Sequence, residues 1–442
     1  MRTNTPPQVA DEDIARKSRR SGDIRWDKLD NTAHLFPVIA GERTTNVYRI
    51  SVTLNEPVVP ELLQEALDII LPKYDAFNLR MRNGVFWHYF EENGKPAPKV
   101  REEQNFPCRF IHANRNNNYL FTVSYYKRRI NLEVFHVLTD GMGGFSFLRE
   151  LTYQYLRLLH PEIIKVTGDS LTTGTTMNRE DSFLKNYKKT SKNKYKSKKA
   201  YLIKGEKLRS GEFGVMHGYI NIPQLKEVCK GYGVSINEYL VAAFIWSVYT
   251  ECLHGMPSEK PIRVAVPVNL RPYFNSITTK NFFVMISAEF DPVEDNYAFD
   301  QILRIVQESL RSQLNSEHLE NIFSYNVSNQ KNKFLRLIPL PLKSFGMRYV
   351  YTRSALANTT TITNVGKIDI ADAYKPYIEM FHAFIAISKG QNIRGTVCSY
   401  NDTLVFTFSY DLMDTSVQRG FFRRLAADGL NVEIESNGVN YG

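Results

Sequence analysis

The chain has 442 residues, of which 43% are apolar and 23% charged, with a net charge of +10. This length exceeds one ordinary core and suits two domains, and these fractions exclude a disordered or fibrous protein. No window approaches the roughly 18 apolar residues of a membrane helix, and the polar run from Met1 to Asp30 holds no signal-peptide core.

In chain order, Tyr48, Ile50, Val52 and Leu54 alternate with polar residues, as in a half-buried strand. A helix follows over 60–74, with Pro60 in its first turn and Leu63, Ala66, Leu67, Ile70, Leu71 and Tyr74 as one stripe. Residues 84–90, 119–126 and 129–136 read as strands, the last with Ile130, Leu132 and Val134 alternating. The Gly-rich turn 141–144 then leads into a helix carrying Phe145, Leu148, Leu151, Tyr155 and Leu159.

Residues 166–212 break the pattern. They are rich in Thr, Ser, Asn and Lys and read as a crossover or linker. Ten lysines and one acid between Lys185 and Lys207 give that stretch +9 of the chain's +10. The rest is near neutral, without the basic, aromatic-interleaved face that nucleic acid requires. The lysine run reads as a solvated loop, or as a lure for CoA phosphates, a carrier protein or an acidic membrane.

The pattern then resumes. Residues 215–222 are strand-like. Ser235 and Glu238 form a capping-box signature before a helix with Leu240, Ala243, Phe244 and Val248. Strands are expected over 262–268 and 283–290, and an amphipathic helix over 299–314. Four strands follow near 357–364, 382–388, 393–400 and 403–410, then a helix over about 415–430. Each half mixes strands and helices, so the fold class is α/β, two α+β sandwiches rather than a repeat array. Lobes over 1–165 and 213–442 flank the crossover. Cys108, Cys229, Cys252 and Cys398 lack metal-type spacing and read as reduced thiols of a cytoplasmic protein without a metal; a monomer is expected.

Common catalytic signatures are absent: there is no Gly-x-Ser-x-Gly elbow, Walker A loop or His-Glu-x-x-His. What remains is His136, Asp140 and Gly141. A neutral imidazole at a strand end can accept a proton from a hydroxyl or amine. Asp140 can brace the turn, and Gly141 permits a positive φ there. A hydrogen-bonded histidine capping a strand fits these residues equally well, so the motif alone leaves both readings open.

With its surroundings, the motif resembles the His-x-x-x-Asp-Gly signature of the superfamily containing chloramphenicol acetyltransferase and peptide-synthetase condensation domains. It is most similar to alcohol acetyltransferases and related stand-alone members. Trp26-Asp27-Lys28-Leu29-Asp30 with Ala33 and Pro37 resembles the family's opening. Val266-Pro267-Val268-Asn269-Leu270-Arg271-Pro272 and Lys280-Asn281-Phe282-Phe283 resemble its Pro-Val-x-Leu-Arg and Asn-Phe elements. Thr363-Asn364-Val365-Gly366 resembles its Ser-Asn-x-Gly strand end, and Ser399-Tyr400-Asn401-Asp402 with Leu404 to Tyr410 its last strands. Many members carry two adjacent histidines; here Phe135 replaces the first.

The resemblance implies two chloramphenicol-acetyltransferase-like lobes with an active-site channel between them. His136 is then the catalytic base, with Asp140 and Gly141 supporting its loop and Arg271 as the ion-pair partner of Asp140. Asn281, Asn364 and Gly366 are channel-lining candidates, with a turn-forming Asn-x-Gly the bland reading of the last two. The implied activity is direct transfer of an acyl group from acyl-CoA to a small-molecule alcohol or amine. No cofactor is permanently bound; acyl-CoA or acyl-phosphopantetheine is a co-substrate. One alternative is an enzyme that condenses or offloads acyl groups held on an acyl carrier protein. The other is a non-catalytic binding member of the family.

Overall fold

A computed structural model describes residues 26–167, 181–189, 198–278, 280–331 and 337–439. The opening segment through residue 25, part of the crossover, and the middle of the lysine run (190–197) lie outside these.

The first lobe contains β1 (Trp26–Lys28), β2 (Val47–Leu54), β3 (Leu79–Asn83), β4 (His88–Glu92), β5 (Arg101–Glu102), β6 (Phe121–Tyr126) and β7 (Arg129–Phe135). Helix α1 (Pro60–Ile70) buries Leu63, Ala66, Leu67 and Ile70. It packs on α2 (Gly141–Leu159), which is buried on most sides. The expected half-buried strand is buried along its whole length. Its apolar face enters the first core. Its polar face is satisfied inside the protein, where Arg49 pairs with Glu133 at 2.8 Å and Ser51 donates to Asn131. The expected strand over 84–90 is instead a turn and the start of β4, because Asn83-Gly84 opens a tight hairpin. Gly84 N–H donates to Trp87 O to close it.

The second lobe is built on a seven-stranded sheet. Its elements begin with β8 (Gly214–Asn221), α3 (Ile222–Tyr232), α4 (Ile236–Cys252), β9 (Ile262–Asn269), β10 (Phe283–Phe290) and α5 (Phe299–Arg311). They continue with α6 (Ser316–Lys331), α7 (Leu340–Ala355), β11 (Thr360–Lys367), β12 (Ile378–Ile385), β13 (Ile393–Tyr400), β14 (Thr403–Tyr410), α8 (Ser416–Ala427) and β15 (Val432–Ser436). The sheet order is β10-β9-β11-β13-β14-β8-β15. The expected capping box is formed: Ser235 Oγ accepts from Glu238 N–H, and Glu238 Oε2 accepts from Ser235 N–H. It starts α4, the central helix of the second core, flanked by α5 and α8.

Two boundaries differ from expectation. Strand β12 lies in the second half of the sequence but joins the other sheet, whose order is β12-β2-β7-β6-β5. It runs antiparallel to β2 from Ile378 opposite Leu54 to Ile385 opposite Tyr48, and Ile378, Phe381 and Ala383 enter the first core. A lobe confined to 213–442 therefore does not describe the sheets. The described ends of the crossover are also not a free linker, because Phe183, Ile203 and Leu208 are buried in the second core. At its margins, Lys188 pairs with Glu320 and Lys207 with Asp411. The four cysteines are unpaired. Among the described residues, no helix is long and apolar enough to cross a membrane.

Candidate active site between the lobes

His136 follows the last residue of β7, and its N–H donates to Asn46 O at 2.9 Å. The half-buried ring stacks on Phe36, with centroids 4.7 Å apart, and meets Tyr48 edge-on at 5.1 Å. Its Nδ1 lies 3.2 Å from Asn281 Oδ1. The Asn281 amide is itself fixed, because its Nδ2 donates to the Asp30 carboxylate at 2.9 Å. Nδ2 also donates to the His136 carbonyl at 3.4 Å, and a backbone carbonyl accepts only, so Nδ2 faces Asp30 and that carbonyl while Oδ1 faces the ring. Nδ1 then carries the hydrogen, and Nε2 presents its lone pair. Burial pushes the His136 pKa below its ordinary value, which keeps the imidazole neutral at neutral pH. The arrangement is an oriented base.

Asp30 is buried behind Asn281 and also accepts from Ala33 N–H at 2.7 Å. Burial pushes its carboxyl up to about 7, against the opposing pull of those hydrogen bonds. By linkage, a carboxyl raised in the folded state stabilises most below about pH 4, and the contribution is lost as pH rises through about 7. Asp30→Asn removes this titration. Its stability relative to the wild type should therefore grow by a few kcal/mol between about pH 4 and about pH 8. Urea denaturation across that range measures it, and parallel curves for the two proteins would refute it.

Asp140 and Arg271 meet at 2.8 Å, both largely buried. The second Asp140 oxygen caps α2 by accepting from Gly143 N–H at 3.3 Å. Arg271 also donates to the carbonyls of Thr278 and Lys280. The hairpin between β9 and β10 thus clamps the His136 loop through Arg271–Asp140 and Asn281–His136. The pair thereby joins the start of α2 to the hairpin.

Gly141 does not take the positive φ expected of it; it is the first residue of α2. A Cβ there would rest 3.8 Å from Val365, in ordinary contact. The sterically demanding position is Gly144, where a Cβ would fall 2.4 Å from the Tyr48 hydroxyl. That hydroxyl crosses α2 to donate to Asp140 O at 2.9 Å. Any side chain at 144 would displace the tyrosine that flanks the His136 ring.

His136, Asp140, Gly141, Arg271 and Asn281 thus come together. Asn281 is not a passive lining residue, since its side chain is buried and committed to the ring. Asn364 is exposed and accepts from Gly366 N–H at 2.8 Å, across a bulge in β11 where Gly366 has φ +90°. This is the turn-forming reading; the pair approaches the site only through Val365 beside Gly141. Phe135 is buried in the first core. Phe36, Tyr48 and Asp30 were not expected at the site from sequence; Tyr48 was read only as a strand residue. Only Asp30 had a signal, its place in the opening segment.

No family profile and no curated protein sequence matches the chain. Solved structures match its fold over nearly its whole length. TRI101 of F. sporotrichioides, complexed with coenzyme A and T-2, is 13% identical, with 93% of this chain and 99% of that one covered and a TM-score of 0.59. A variant of the starter condensation domain of rhizomide synthetase RzmA, in complex with C8-CoA, is 12% identical, covering 96% and 100%, with a TM-score of 0.58. Polyketide synthase associated protein 5 from Mycobacterium tuberculosis is 13% identical, covering 90% and 96%, with a TM-score of 0.55. At such identities the likeness establishes the fold, the mixed α/β architecture of condensation domains.

Proposed function

We propose that the protein is an acyltransferase that moves an acyl group from a CoA thioester to a hydroxyl or amine, with His136 as general base. The observation that carries this reading is the Asp30–Asn281–His136 relay, which leaves Nε2 uncommitted on a half-buried ring where the lobes meet. The acceptor hydroxyl or amine donates its hydrogen to Nε2. As its oxygen or nitrogen attacks the thioester carbonyl, the proton passes to the ring. Asn281 Oδ1 keeps its bond to Nδ1–H and steadies the imidazolium. The tetrahedral intermediate collapses, and the imidazolium returns the proton to the leaving thiolate. No covalent enzyme intermediate is required.

Support for CoA as the donor comes from TRI101 and RzmA, whose structures were solved with coenzyme A and C8-CoA. A thiol-release assay with acyl-CoAs, carrier-bound acyl groups and a panel of alcohols and amines tests the reading. Acceptor-dependent release of CoA thiol is expected. Release only from carrier-bound donors would assign the protein to condensation or offloading. Silence with every donor from a folded protein would favour a binding role.

A further inference from the structure

Arg394 carries a charge that the protein does not neutralise. It lies on β13, and its Nη1 donates to Ala386 O at 2.8 Å. Its Nε is buried and makes no hydrogen bond. Among the described residues no carboxylate pairs with it; the groups facing it are the Tyr351 hydroxyl and the Cys108 thiol. Burial draws the guanidinium pKa down to about 10, as befits a cation without a counter-charge. Arg394 as a whole is half-buried, and a charge that is poorly solvated and unpaired is unfavourable, so such sites ordinarily hold an opposite partner.

The place of this charge is informative. Ala386 N–H donates to Val47 O at 2.9 Å, and Val47 pairs with Phe135, the residue before His136. Ala386 is therefore two strand spacings from the catalytic residue, about 10 Å. The Arg394 guanidinium is held at the Ala386 carbonyl, and its positive charge opposes formation of the His136 imidazolium. Helix α7 borders the same side. Its Tyr351 hydroxyl is 2.7 Å from Ser388 Oγ, and its Arg348 donates to Val38 O, beside the turn whose Phe36 stacks on His136.

We propose that Arg394 binds a carboxylate carried by one of the two substrates, within about 10 Å of the base. The carboxylate is the missing counter-charge, and the planar guanidinium fork matches it. The long pantetheine arm places CoA's own phosphates far beyond this depth once the thioester is at His136. The anion therefore belongs either to the acceptor, as in a hydroxy or amino acid, or to the acyl group, as in a dicarboxylic acyl-CoA.

The assignment rests on the acyl-transfer reading for its substrates, but its test reads binding. Hydroxy acids, amino acids, malonyl-CoA and succinyl-CoA are titrated calorimetrically, each against its methyl ester. The wild type is expected to bind at least one free acid about ten- to a hundredfold more tightly than the ester. The member of the panel that shows this preference identifies the source. Arg394→Met should erase the preference, and Arg394→Lys should keep part of it. Without substrate, Arg394→Met should raise the thermal midpoint, because it removes an uncompensated charge. Equal binding of acid and ester by the wild type, binding of no carboxylate, discrimination that survives Arg394→Met, or a lowered midpoint would each overturn the proposal. Discrimination without any thiol release would sink the acyl-transfer reading and leave the carboxylate site standing.

Discussion

Replacing His136 with alanine is expected to lower kcat/KM by about a hundredfold or more, with the fold unchanged. The ring hydrogen-bonds to Asn281 and packs in a stack on Phe36, an edge contact with Tyr48 and a tilted contact with Phe283. Its loss removes the proton acceptor at the point of attack. Asn281 keeps its bond to Asp30 and Tyr48 its bond to Asp140, so the surrounding loop retains its ties. Steady-state turnover and thermal unfolding are measured together. An inactive variant that melts like the wild type fits the assigned role, and near-normal turnover would end it.

The largest stability effect is expected at the ion pair. Arg271→Met leaves the Asp140 carboxylate largely buried without its cation, a change that typically costs about 3–5 kcal/mol. Arg271 also ties down the carbonyls of Thr278 and Lys280, which lie in the hairpin that delivers Asn281 to the ring. Activity should fall with stability. Adding Asp140→Asn removes the stranded charge while keeping an oxygen that can cap Gly143 N–H, so the double variant should recover part of the loss. Urea midpoints for the four proteins of the cycle give the coupling. Additive effects would show that the two residues act separately.

Alternation in Ile130, Leu132 and Val134 was sufficient to locate β7 and to put His136 at its end. Arg271 was also legible, through its Leu-Arg context. The role of Asn281 was not, because its partner lies 145 residues away and neither local spacing nor polarity encodes that contact. The glycines of 141–144 look alike in sequence. Only the path of Tyr48 across α2 makes Gly144 the crowded one. Helix α7 was unassigned for a different reason. Leu342, Phe345 and Tyr349 are exposed on it, so its apolar residues do not mark a buried stripe. A strand was expected near 382–388, overlapping β12 (Ile378–Ile385), but nothing in the sequence showed which sheet it would join.

That exchange of β12 bears on how the protein is made. Synthesis proceeds from the N-terminus, and domains generally fold as they emerge. Strand β2 appears early, yet its neighbour on one side ends at Ile385. Until β12 is made, the first lobe presents a strand with one apolar face and an open row of backbone donors and acceptors, the kind of edge on which foreign strands add. The nascent chain closes that edge itself, and only after more than 300 further residues have followed β2.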